Sequence, residues 1–181
     1  DDLLLRAIRD HQHNLTEALK AKNSERASFE AAWLAHAVTD GLTPAHHEAL
    51  DEQVKHLRHD DERRHDFRSR VIMRGNGSKR QFLTNNWAYW GAKGIMTNHT
   101  LFEAGVATTA KPLNFQLAEP TLNDIHYLRN DGFENYFISA AREIDNLDMY
   151  ENFKQKGWTR TLAQQTTKQL LPTIIKTVTL A

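Results

Sequence analysis

The 181-residue chain contains no cysteine. Disulfides, thiolate nucleophiles, zinc fingers and iron–sulfur clusters are excluded, so any metal site must be built from histidine and carboxylates. It has no net charge either: 23 Lys plus Arg balance 23 Asp plus Glu. That argues against retention on nucleic acid or anionic lipid by bulk charge and leaves room only for local patches. No apolar run is long enough to span a bilayer, and no secretory leader is visible. The chain starts abruptly at Asp1-Asp2, and the apolar tail over 170–181 stops as abruptly. Both ends read as those of a trimmed fragment or of a mature form without its leader.

What is there suffices for a folded domain. Apolar residues make up 40% and charged residues 25%, and 8 Phe, 4 Trp and 4 Tyr need burial. The length suits one domain. Leu4, Ile8, His11, Leu15 and Leu19 recur at helical spacing. Asn23-Ser24 can cap a second helix, whose expected inner face carries Phe29, Trp33, His36, Ala37 and Asp40. Thr43-Pro44 opens a third helix with Leu50, Val54 and Leu57 inside. Residues 58–80 hold eight basic against four acidic residues and read as a long basic connection, with Val71-Ile72-Met73 as a short extended segment. Ser78-x-x-Gln81 reads as a capping box for a helix running through Trp87 and Trp90, bent at Gly91 and Gly94, to about Val106. Thr121 and Asp131 are caps for two further helices, and a last helix runs from about Thr159 with a kink at Pro172. The expected architecture is a single all-α multi-helix bundle over 1–181.

Polar residues that interrupt apolar faces mark the chemistry. His36 and Asp40 lie four apart, hence on one helix face, and so do His99 and Glu103. A carboxylate on a buried face needs a compensating cation, which a metal or a bonded histidine can supply. The turn Gly41-Leu-Thr-Pro44-Ala reverses the chain and brings His46 back towards Asp40. His46, His99 and Glu103 would make a two-His, one-Glu set, the donor pattern of catalytic zinc sites with a position left for water. His36 and Asp40 would begin a second site, or form a structural hydrogen bond. His11 sits on the apolar face of the first helix and is a candidate further ligand, or a core histidine. Trp87 and Trp90 could wall a substrate pocket or pack as core aromatics.

The run His36-x3-Asp40-x3-Pro44-x-His46, followed by His99-x3-Glu103, resembles the signature of zinc-dependent phospholipase C, a family that shares its fold with single-strand-specific nucleases. The resemblance implies an all-α fold and one to three zinc ions. One ion would be held by His46, His99 and Glu103, and a second would involve His36 and Asp40. It implies hydrolysis of a phosphoester substrate, a phospholipid before a nucleic acid because the second motif ends in Glu. An exported, extracytoplasmic protein without a stable protein partner goes with it. The chain departs from the family's pattern in the 53 positions from His46 to His99, which make the basic segment over about 58–80 an insertion, and in the few upstream candidates, Asp1, Asp2, Asp10, His11 and His13. The residues themselves leave two other readings open: a non-catalytic relative with a structural zinc, and a metal-free interaction module using the basic segment and the aromatic helix.

Overall fold

A computed structural model describes residues 2–48, 50–58, 71–75, 77–111 and 118–181. Among them the fold is all-α, with no strand. Helices α1 (Asp2–Lys20) and α2 (Ser24–Leu42) form a hairpin. Its turn is set by two adjacent residues. Lys22 adopts a left-handed conformation (φ 54°), letting the Asn23 N–H reach back to the Ala18 carbonyl at 2.9 Å. The Asn23 side chain then caps α2 by accepting from the Arg26 N–H at 3.0 Å.

The face that α2 buries differs from the expected one. Ala27, Glu30, Leu34, Ala37, Val38 and Leu42 point inward, while Phe29, Trp33 and His36 lie on the outer side. Two apolar stripes run side by side on this helix, and small or medium side chains let α1 approach more closely than a row of aromatics would. The displaced aromatics stack on one another and on histidines instead. Trp33 lies 6.0 Å from the His11 ring, nearly parallel, and 5.6 Å from His36, edge-on. On α1, Ile8 and Ala18 are buried and Leu19 is exposed.

After Thr43 the chain makes a single 3-10 turn, Pro44–His46, before the short α3 (Leu50–Lys55). The expected single helix is thus split in two. Most of the basic insertion, 59–70 and residue 76, falls outside the described residues. Val71, Ile72 and Met73 form no strand. They are held by side chains of α4 (Lys79–Trp90), where Asn86 brackets the Met73 backbone N–H and C=O at 3.1 and 2.9 Å. Ser78 occupies the N-cap of α4, but its side chain makes no capping bond. The Gly91–Gly94 turn fully separates α4 from α5 (Ile95–Ala110), where the sequence suggested a bend.

Helix α6 (Leu122–Asp145) starts from a complete Thr121–Asp124 capping box and breaks at Gly132, whose φ of 79° no helical L-residue would hold. It is therefore two helical stretches, as Thr121 and Asp131 suggest. Helices α7 (Met149–Lys156) and α8 (Arg160–Gln165) follow, the latter capped by Thr159. A π-helical turn, Thr166–Leu170, then leads into α9 (Leu171–Leu180). The wider turn accommodates Pro172, which lacks an N–H and would crowd a carbonyl of the preceding turn in a regular helix.

Three apolar clusters share these elements. The first joins Ile8, Leu34, Val38, Leu42, Phe133 and Phe137. The second joins Ala45, Phe102, Ile144, Met149, Tyr150, Phe153, Leu162 and Leu170. The third is Val54, Leu57, Met73 and Tyr89. Phe102 is fully buried and meets Tyr150, Phe153 and Trp158 edge-on at 5.3, 5.6 and 5.7 Å, a favoured aromatic arrangement. Among the described residues no helix is long and apolar enough to cross a membrane.

Candidate metal centre

The second cluster positions the site. His46 follows Ala45 and Glu103 follows Phe102, and both apolar neighbours are buried in that cluster. Anchoring the residue before each ligand leaves the ligand side chain at the rim of the core, facing outward. His99 lies one turn before Glu103 on α5 and is the most enclosed of the three side chains, at 12% exposure. His46 Nε2 and His99 Nε2 converge on the same carboxylate oxygen, Glu103 Oε1, at 3.1 and 3.2 Å. The two imidazoles stack, with centroids 4.9 Å apart and planes 15° from parallel.

One ligand atom from each residue lies within 4.8 Å of the other two. Donors about 2.0–2.1 Å from a four-coordinate zinc are separated by roughly 3.3 Å. The two nitrogen–oxygen distances match that edge, and the set of two imidazoles and one carboxylate suits zinc. The side chains present fit such an ion. All three are partly open to solvent, so the rim is accessible.

The other expected ligands are placed differently. His36 and Asp40 pair on the outer face of α2, with Nε2 to Oδ2 at 3.3 Å, and His36 is largely exposed. Asp40 Oδ1 lies 3.7 Å from His46 Nδ1, on the side of that ring opposite Glu103. At 3.7 Å the two lie within ion-pair range but beyond hydrogen-bond distance. Among the described residues, His36 and Asp40 join no third donor in a group as tight as that of His46, His99 and Glu103. His11 is engaged elsewhere: its Nδ1 lies 2.5 Å from Glu30 Oε2. Glu30 is fully buried on the inner stripe of α2 and is also ion-paired to Arg26. The His11 hydrogen bond holds the Glu30 carboxyl below its ordinary range against the opposing effect of burial, with Arg26 adding to it. Trp87 and Trp90 are both exposed on α4, and Trp90 Nε1 donates to the Val71 carbonyl at 2.6 Å. Neither lines the cavity beside His46.

That cavity, about 460 Å³, was not evident in the sequence. His46 and His47 form part of its wall, and Leu4, Leu5, Phe137 and Ile138 give it an apolar lining. Arg142 is the one cation of its lining besides the histidines. Gly41 belongs here for a packing reason, because a Cβ would lie 2.5 Å from the Phe137 ring and 2.7 Å from a Leu4 methyl. His47 faces two acceptors, the Gly41 carbonyl at 3.0 Å and Asp145 at 3.3 Å.

Compared with protein-family models, curated proteins and solved structures, the chain matches none.

Proposed function

We propose that the chain is a zinc-dependent phosphoester hydrolase, with the ion held by His46, His99 and Glu103. The observation that carries this is the convergence of two imidazole nitrogens on one carboxylate oxygen, at 3.1 and 3.2 Å, from a 3-10 turn and a helix far apart in sequence. Zinc at such a site supplies a Lewis acid for a phosphoryl oxygen and lowers the pKa of a water it holds. The chain's own groups do the rest. Asp40 places a negative charge near the second nitrogen of the His46 ring. Arg142 offers a charged, forked donor for a phosphate oxygen at the wall of the neighbouring cavity. Leu4, Leu5, Phe137 and Ile138 provide an apolar surface for the alcohol portion of the ester. That lining favours a phospholipid over a nucleic acid, whose backbone and bases call for charge and stacking. An extracytoplasmic site of action accompanies this reading.

The test is metal content by mass spectrometry on protein purified without chelator, alongside hydrolysis of bis(p-nitrophenyl) phosphate and phosphatidylcholine. About one zinc per chain is expected, lost together with hydrolysis in a His99→Ala/Glu103→Ala variant. Zinc without hydrolysis would favour a structural ion. No zinc, even after the metal is added back, would overturn both.

A further inference from the structure

Helix α4 is built inside out. Its buried residues are Asn85 and Tyr89, and Asn85 Nδ2 donates to the Leu57 carbonyl at 2.9 Å. Asn86 is likewise turned to the Met73 backbone. The large apolar side chains of the same helix, Phe82, Leu83, Trp87 and Trp90, are exposed, with Leu83 and Trp87 at 68% and 72%. Four such side chains on one 12-residue helix are more than scattered surface apolarity, and a patch of this kind marks an interaction surface.

The charge along this part of the sequence has one sign. From residue 67 to residue 102 the sequence contains six basic and no acidic residues, in a chain whose total charge is zero. Arg74, Lys79, Arg80 and Lys93 of this stretch lie among the described residues. Arg74 and Lys79 line, together with Phe82 and Leu83, one surface depression of about 560 Å³, so cationic and apolar groups share a single concavity.

We infer that this face of α4 docks on the surface of an anionic phospholipid bilayer. Tryptophan and phenylalanine suit the boundary between headgroups and acyl chains, and lysine and arginine beside them meet lipid phosphates. A second copy of the chain fits less well, because a two-fold contact would set the same four cations against themselves. Single-stranded nucleic acid also fits less well. The face is the outer side of a helix carrying Leu83 as well as aromatics, where such strands favour a charged groove. The inference does not depend on the metal reading, since none of the candidate ligands belongs to α4.

The experiment is co-sedimentation of the whole chain with vesicles of phosphatidylcholine containing phosphatidylglycerol, at low and high salt, with tryptophan emission followed in parallel. Wild-type protein is expected to partition onto the anionic vesicles with a blue-shifted emission. The Leu83→Ser/Trp87→Ser variant should lower the partition coefficient at least tenfold, and Lys79→Glu/Arg80→Glu should do so while abolishing the salt dependence. Circular dichroism and Tm should be unchanged in both, because these side chains are exposed. The His99→Ala/Glu103→Ala variant should bind vesicles like wild type, which separates failure here from failure of the metal site. No partitioning by wild type, or undiminished partitioning by Leu83→Ser/Trp87→Ser, would overturn the inference. So would a preference for a single-stranded oligonucleotide, or self-association, that is lost in the same variant.

Discussion

Replacing Gly105 by alanine sets helix propensity against packing. Gly105 lies inside α5, where Gly→Ala ordinarily stabilises by about 1 kcal/mol. Here the added Cβ would fall 2.2, 2.4 and 2.6 Å from three ring atoms of Trp158, far inside the 3.5–4.0 Å at which carbon atoms attract. The indole cannot retreat cheaply, because Phe102 and Phe153 hold it edge-on at 5.7 and 6.2 Å. Overpacking costs about 1–3 kcal/mol, and contact with three atoms of a fixed ring belongs at the upper end. Less the propensity gain, Gly105→Ala should destabilise by about 2 kcal/mol, or lower Tm by about 4–8 °C for a chain of this size. Urea denaturation of Gly105→Ala, Trp158→Leu and the double variant would measure it. The double variant should lose less than the sum of the singles, because alanine occupies space that the indole has left. A Gly105→Ala protein as stable as wild type would refute the reasoning and mean that Trp158 can move aside.

Two further expectations concern polar groups. Asn86→Ala strips both partners from the backbone of Met73, which is fully buried, and should cost about 2–6 kcal/mol at 1–3 kcal/mol per orphaned group. Hydrogen exchange should show the Met73 amide losing protection first. Burial alone would raise the pKa of Asp124, but hydrogen bonds from the Thr121 hydroxyl and N–H, from Tyr136 and from Lys176 outweigh it and hold the carboxyl down to about 2. A depressed carboxylate stabilises the fold above its unfolded value, near 4, and loses that contribution as pH falls through the folded value. Asp124 should therefore contribute about 2 kcal/mol at pH 6 that disappears between pH 4 and pH 2. Asp124→Asn should flatten denaturation midpoints across that window, and an unchanged slope would remove Asp124 as the cause.

Local chemistry made much of the fold legible. Asn23, Thr121 and Thr159 cap helices because their side chains reach N–H groups three residues on, and Gly132 and Pro172 disturb helices for reasons internal to the backbone. Contacts between distant residues were not legible. Periodicity alone could not decide which of the two stripes of α2 faces inward. The choice depends on how closely α1 packs, and it moved Phe29, Trp33 and His36 outward together. The inward turn of Asn85 and Asn86 depends on backbone groups at Leu57 and Met73. At the site, the pairing of His36 with Asp40 and of His99 with Glu103 follows from their four-residue spacing, whereas the approach of His46 to His99 and Glu103 is implied only by the resemblance of the motif. The attachment of His11 to Glu30 does have a signal in the sequence, because Glu30 shares the register of Ala27, Leu34 and Ala37. Arg142 and the cavity it lines depend on packing between α1, α2 and α6 and leave no local mark.

The contact between His46 and Glu103 joins residues 57 positions apart. Their neighbours Ala45 and Phe102 anchor it in one buried cluster. Closing a loop of this length costs entropy that grows only logarithmically, about 0.6 kcal/mol for each doubling. Length changes that spare α3, α4 and the cluster of Val54, Leu57, Met73 and Tyr89 therefore cost the donors little. Relatives carrying the same three donors can be sought with a short connection, a longer one, or a whole inserted module at this point.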